Sequence, residues 1–512
     1  MRRKALQMAG IGILLFGMVC SGCDRKAQVN AEPESSEKIE YAVTETEEVS
    51  TETKKLVIED LDDAYEALLD SCSKEFIGDY RIDESFLNWV YANYGKEAVL
   101  NIAQESQEDQ NVNVWYEETG NSIHVLWLLY CQDTGMNEED LQQVYWKACS
   151  SEDEIVLDFT GDINFAEGWG TTEHMDGQPN GINDCFSKDL LQEMNNADIM
   201  MINNEFTYST RGEPLAGKDY TFRADPKRVD LLETFGTDIV SLANNHVYDY
   251  GEAALIDTID TLEEAGIPYV GAGKDLKDAM RPVYFVANGK KIAIVSATQI
   301  ERSLNYTKEA TETTPGVLKT LNPDKFLKVI EEARDNSDYV IAFVHWGTEG
   351  NNYFGSDQVA LAKQFVEAGV DVIIGGHTHC LQGMEYMDGV PIIYSLGNFC
   401  FGGNSSPSDM DTMIFQQTFT VTSEGVQADN VTNIIPCSIS IISSHKARED
   451  FRWLTIIISF SSLICFKLSN NAASFKLSIR LVGSSNKRIG VFLKKARANP
   501  ILCFCPPEIF SS

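Results

Sequence analysis

From Glu154 onward the chain alternates short, mostly apolar runs with amphipathic stretches, and that alternation leaves few folds open. The runs at 155–159, 199–202, 239–242, 292–296, 339–344 and 370–374 are too short for buried helices and read as strands. Between them, 186–194, 229–235, 253–265, 326–333 and 359–366 carry helical spacing. Strands alternating with helices predict an α/β layered domain. After His379 the signals change to hairpins, with Met387-Asp388-Gly389-Val390 reading as an Asp-Gly turn.

What stands at the strand ends is chemically selective. The run 370–374 leads into Gly375-Gly376-His377-Thr378-His379, two imidazoles one residue apart beside glycines that let the backbone bend and approach. Alone, this motif reads equally as a paired metal site or as a loop with two solvated histidines. The pattern recurs, however: Gly161-Asp162-Ile163-Asn164 follows the first run, Asn203-Asn204-Glu205 the second and Asn244-Asn245-His246-Val247-Tyr248-Asp249 the third, while His345-Trp346-Gly347-Thr348-Glu349 follows Val344. Four of the seven histidines fall in these segments. Ligands of open α/β sheets gather beyond the carboxyl ends of strands, so five such endings point to one shared site.

Carboxylate, imidazole and amide oxygen donors together suit manganese, zinc or iron, and Asp162 or Glu205 is able to bridge two ions. Two such ions activate water and steady both oxygens of a phosphoryl displacement. His246 is then the group to protonate the leaving oxygen, oriented by Asp249 three residues on. The alternative for Asp249 is a plain cap of the helix that follows Gly251. Arg223 is a candidate for holding an anionic substrate through its planar fork, or else a surface ion pair. Asn244 and Glu349 complete the candidate substrate contacts.

Charge and the chain ends give the address. A net charge of −36 over 512 residues excludes a polyanion-wrapping surface, and with it nucleic acid as a partner; it suits a solvated acidic surface or a protein that holds cations. Residues 1–23 run from basic Arg2-Arg3-Lys4 through an apolar stretch to Cys20-Ser21-Gly22-Cys23, the order of a secretory signal. Its ending resembles a bacterial lipobox with Cys23 as the acylated residue, although Cys20 stands where such boxes usually carry Leu. If that box fails, the stretch remains as a short anchor, below the ~20 apolar residues of a spanning helix. Either way the protein is expected outside the cytoplasmic membrane and held to it. Residues 24–55, rich in Glu, Ser and Thr, read as a disordered acidic linker.

Residues 56–150 show helical periodicity and read as a small, mostly helical domain, with Trp89, Trp115, Trp127 and Trp146 expected in its core. Beyond Cys20-Ser21-Gly22-Cys23 the twelve cysteines form no CxxC pairs, and the spacing leaves a single bridge among Cys72, Cys131 and Cys149 open without deciding it. From residue 441 the composition reverses, with 11 Lys and Arg against 3 Asp and Glu. This atypical basic tail reads as a translated frameshift that packs poorly, or else as a basic membrane-binding end.

Taken in order, Gly161-Asp162, Asn203-Asn204-Glu205, Asn244-Asn245-His246 with Asp249 and Gly251, His345-Trp346-Gly347 with Glu349, Gly376-His377-Thr378-His379 and Ser395-Leu396-Gly397-Asn398-Phe399 resemble the bacterial CapA-type capsule synthesis proteins, associated with poly-γ-glutamate. That family is similar to the calcineurin-like metallophosphoesterases. For residues 153–440 the resemblance implies an α/β fold, a metallophosphatase-like layered β-sandwich flanked by helices. It implies Asp162, Glu205, Asn245, His345, His377 and His379 as ligands of two divalent ions (Mn, Zn or Fe) and His246 as the catalytic imidazole. It also implies partners among membrane-bound capsule synthase components and polyglutamate or another cell-envelope polymer. Two departures bear on chemistry: Asn164 stands where the phosphoesterase pattern has histidine, and Glu205 where it has Asp. The readings that follow are a metal-dependent phosphoester hydrolase and a non-catalytic scaffold or polymer-binding partner of a capsule synthase.

Overall fold

The computed structural model describes residues 58–421 except 59, 76–81, 107–112, 136–143, 302–305, 403–406 and 408, together with the strands Val431–Ser438, Ile464–Ser469 and Lys476–Leu481. The signal sequence, Cys23 and the linker lie outside the described residues. So does the tail from 441, apart from its two strands, which pair with each other.

Numbered along the chain, the strands form two seven-stranded sheets. One is ordered β1 (Val144–Lys147), β9 (Val283–Ala287), β10 (Lys290–Thr298), β12 (Tyr339–His345), β13 (Val372–Gly376), β15 (Val390–Ile393), β14 (Met384–Met387). The other is ordered β18 (Val431–Ser438), β17 (Asp411–Thr420), β2 (Glu154–Ile163), β3 (Ile199–Asn204), β6 (Ile239–Ser241), β7 (Tyr269–Val270), with β16 (Asn398–Cys400) also pairing β2. Two short pairs, β4 (Thr207–Tyr208) with β5 (Arg223–Ala224) and β8 (Ala272–Gly273) with β11 (Gly316–Val317), lie outside these sheets.

The sheets pack face to face and helices cover both outer surfaces, which is why strands such as β12 and β13 are apolar on both faces. β12 shows the rule. Tyr339, Ile341 and Phe343 point between the sheets, among Leu157, Phe159 and Met201. Val340, Ala342 and Val344 point outward to Phe326, Ile330 and Phe365 of the helices Asp324–Asp335 and Ser356–Glu367. Phe343 is wholly buried, and truncating it to Ala would cost about 3–5 kcal/mol. The other sheet's outer face is closed by Met194 of the helix Lys188–Asn196 and by Leu255, Ile259 and Leu262 of the helix Glu252–Glu264.

Every strand and helix expected between 155 and 374 is present. The stretch at 229–235 divides into a 3-10 turn, Pro226–Asp230, and a short helix, Leu231–Thr234. Asp388 and Gly389 both have positive φ, the conformation of an Asp-Gly hairpin turn between β14 and β15. The observed architecture is the layered α/β sandwich, and its parallel runs β10-β12-β13-β15 and β2-β3-β6-β7 set their carboxyl ends toward common ground.

The N-terminal helices Leu61–Glu75, Glu84–Glu105, Val114–Thr119 and Ile123–Thr134 have their own core around Phe86, Leu87, Trp115 and Leu126, with Trp89 and Trp127 packed at its side. Trp146 departs from expectation: it sits on β1, an edge strand of the sandwich, and is 52% exposed. Helical periodicity does not extend that far, because Val144–Lys147 pairs in parallel with β9. Ser122 Oγ donates to Asp338 Oδ2 at 2.6 Å and fastens the helices to the sandwich. Cys149 is a free thiol. Among the described residues no helix is long and apolar enough to cross a membrane.

Candidate metal centre

The ends of β2, β3, β12 and β13 and the loop after β6 bring their polar residues together. Asp162 comes from β2, Glu205 directly follows β3, Asn245 and His246 follow β6, His345 ends β12, and His377 and His379 follow β13. Parallel pairing makes this unavoidable, since Asp162 is in register with Asn203 and His345 with Gly376. Glycine makes it close: a Cβ on Gly376 would lie 2.7 Å from Asp162 Oδ1. His377 and His379 both take positive φ, an uncommon conformation for histidine that turns the chain sharply within three residues.

Glu205 is wholly buried and neither of its carboxylate oxygens accepts a hydrogen bond. It is shared by two groups of converging donor atoms, Glu205 with His345 and His377, and Glu205 with Asp162 and His379, each within 4.8 Å. In the first group His345 Nε2 lies 2.7 Å from Asn245 Oδ1, 3.2 Å from His377 Nδ1 and 3.4 Å from Glu205 Oε1. In the second, His379 Nδ1 is 3.5 Å from Asp162 Oδ2. Asp162 is held by Asn203 Nδ2 at 2.7 Å and by the His377 N–H at 3.1 Å.

Burial, and then the neighbouring Asp162, pushes the Glu205 carboxyl well above its ordinary range; burial also raises Asp162. The same burial holds His345 well below its ordinary value, with His377 adding to the effect, and lowers His246. Neutral imidazoles are ready to bind a cation, whereas the two crowded carboxyls would give up their protons to an arriving one. A buried carboxylate without any hydrogen bond is costly unless a positive charge meets it, so this donor set fits a divalent ion at each group.

His246 Nδ1 lies 2.8 Å from Asp249 Oδ2. Asp249 accepts also from the Phe222 N–H at 2.7 Å and from Lys218 Nζ at 2.6 Å, whereas the helix Glu252–Glu264 begins at Gly251 without any side-chain cap. Asp249 therefore orients His246 and caps no helix. Lys218, which also donates to the Asn245 carbonyl oxygen, is absent from the sequence-based candidates. Nothing in its local pattern marks it, since its partners lie 27 and 31 residues away.

The candidate substrate contacts separate. Asn244 is wholly buried: its amide donates to Asn203 Oδ1 and to the Asn204 carbonyl, and its oxygen accepts from the His246 and Val247 N–H groups. All its hydrogen-bonding groups are used, so it braces the ligand loops instead of meeting substrate. Arg223 donates to the carbonyls of Arg211 and Gly212 and stacks 4.0 Å over Tyr250. It lines an open groove of about 970 Å³ with Trp169, Lys227 and Arg228. Phe222 stands between groove and centre, its ring 4.4 Å from His246 and 5.1 Å from Trp169. Glu349 is 64% exposed at the rim, 4.0 Å from His377 Nε2. Asn164 Oδ1 accepts from the Ala166 N–H at 2.8 Å, which spends it on a turn.

Residues 156–403 match the family of bacterial capsule synthesis proteins, PGA_cap. The chain is 40% identical over 191 residues to the capsule biosynthesis protein CapA of Bacillus anthracis, covering 36% of this chain and 45% of that one. It is 34% identical over 199 residues to the PGA biosynthesis protein CapA of Bacillus subtilis (strain 168), covering 39% and 51%. It thus spans about half the length of the curated relatives it matches. Among solved structures, a hypothetical protein from Thermus thermophilus aligns at 17% identity and a TM-score of 0.34, over 55% of this chain and 98% of that one.

Proposed function

We propose, starting from a chain whose residues 156–403 are a capsule synthesis domain of the CapA type, that it serves in poly-γ-glutamate capsule biosynthesis or export and carries a metal-dependent phosphoesterase site. The observation that carries the site is Glu205, a buried carboxylate with no hydrogen bond, shared by two groups of converging donors. Asp162, Glu205 and His379 would hold one divalent ion, and Glu205, Asn245, His345 and His377 the other. When bound, such ions supply Lewis-acid activation of a water and charge for the phosphoryl oxygens.

The chain's own groups do the rest. Asp249, anchored by Lys218 and the Phe222 N–H, fixes the His246 ring by its Nδ1 and leaves Nε2 as the acceptor that would take up a proton and pass it to a leaving oxygen. Phe222 and Phe401 wall the imidazoles, with rings 4.4 Å from His246 and 4.6 Å from His379, and exclude water from that side. We place the protein outside the cytoplasmic membrane, anchored through Cys23, with a membrane capsule synthase and the polymer as partners. Mass spectrometry of the mature N-terminus tests the anchor.

Asn164 favours the second reading, a non-catalytic partner of the synthase, because one ion position has an amide where an imidazole is usual. The two readings separate on the purified full chain by metal content and by hydrolysis of a panel of phosphoesters, with His377→Ala as control. Activity lost in the variant supports the enzyme. Full metal loading with no hydrolysis on any ester leaves the scaffold.

A further inference from the structure

Asn398 has no part in the site described above, yet it reaches it. It opens β16 and stands in register with Asp162. The two backbones touch: the Asp162 N–H donates to the Gly397 carbonyl at 3.0 Å, and a Cβ on Gly161 would run into that same oxygen. Asn398 Oδ1 arrives 2.8 Å from His379 Nδ1, the nitrogen that lies 3.5 Å from Asp162 Oδ2. It thus brings an amide oxygen to the Asp162–His379 group, while the Asn164 oxygen is engaged by the Ala166 N–H.

We propose that Asn398 is a metal ligand replacing the imidazole that Asn164 does not supply, so that the two half-sites are unequal in kind. The inference rests on reading the centre as metal-binding. One half-site, with Glu205, Asn245, His345 and His377, offers two imidazoles, and each of these residues is at most 5% exposed. The other, with Asp162, Glu205, His379 and Asn398, offers three oxygens to one imidazole, and the His379 side chain is 22% exposed. Oxygen-rich donor sets favour harder ions such as Mn²⁺, and imidazole-rich sets favour Zn²⁺. The first half-site holds its ion tightly. The second takes a harder ion that exchanges.

The test is titration calorimetry with Mn²⁺ and Zn²⁺, and metal content by mass spectrometry, on the full chain as wild type, Asn398→Ala and Asn398→His. Wild type should bind two ions. Asn398→Ala should keep the tight ion, which also shows that it is folded, and weaken the second by roughly tenfold or more. Asn398→His should shift the second position toward Zn²⁺ over Mn²⁺ by a similar factor. Unchanged binding in Asn398→Ala, loss of both ions, or an unshifted preference in Asn398→His would overturn the proposal; the last outcome marks Asn398 as a mere support of the His379 ring. Failure of the underlying metal reading shows separately, as wild type that binds no ion at all.

Discussion

The ammonium of Lys218 lies 2.6 Å from Asp249 Oδ1, with both side chains withdrawn from solvent. Breaking a buried ion pair from one side leaves an uncompensated charge. Lys218→Met should therefore lower stability by roughly 3–5 kcal/mol in urea unfolding at pH 7, even though Asp249 keeps its bonds to His246 and the Phe222 N–H. A loss within the ordinary surface range of about 0.5 kcal/mol would show the pair to be solvated.

Glu205→Gln should have opposite effects with and without metal. In chelator the substitution removes a buried carboxylate that has no hydrogen bond, so the variant should melt above wild type. With Mn²⁺ or Zn²⁺ in excess the order should reverse, since binding at 100 times Kd adds about 2.7 kcal/mol to a chain that retains its ligands. Thermal melts in both conditions check the crossing.

Asp158 lies on β2 facing away from the space between the sheets, wholly buried beside the Gln416 amide. Burial pushes its carboxyl up to about 7, opposed in part by the Gln416 amide. The folded state therefore holds a proton that the unfolded chain releases near pH 4, so this group makes stability fall as pH rises from about 4 to about 7, by up to ~1.4 kcal/mol per pH unit. Asp158→Asn should flatten that decline and melt higher than wild type at pH 8, with little difference at pH 4.

Gly376→Ala places a methyl carbon 2.7 Å from Asp162 Oδ1. The carboxylate must move, and metal content should fall by one or two ions per chain while far-ultraviolet circular dichroism is preserved. Normal metal content in a folded variant would show that Asp162 is free to yield.

The sandwich was legible where burial on both faces erased polarity, as in β12 and β13, and where polarity returned at once at His345 and His377. β17 was not: Thr412, Gln416 and Gln417 interrupt its apolar run, because it borders the short flank of its sheet. The candidate donors are legible as residue types at strand ends. Direction did not. Asn244 and Asn245 are adjacent and alike, yet one is consumed by backbone groups and the other reaches His345 Nε2 at 2.7 Å. Lys218 was invisible because only the folded chain brings it to Asp249, and Trp146 misled because an edge strand of four residues is too short to show an alternation of its own.

The placement of β1 and β17 sets where this protein is able to be cut. The family-matched stretch 156–403 contains neither strand. Trimmed to that stretch, one sheet would end on β9 and the other on β2 beyond its contact with β16, each with a row of bare N–H and C=O groups open to any passing strand. The matched stretch and the stretch that completes both sheets are therefore different lengths of chain.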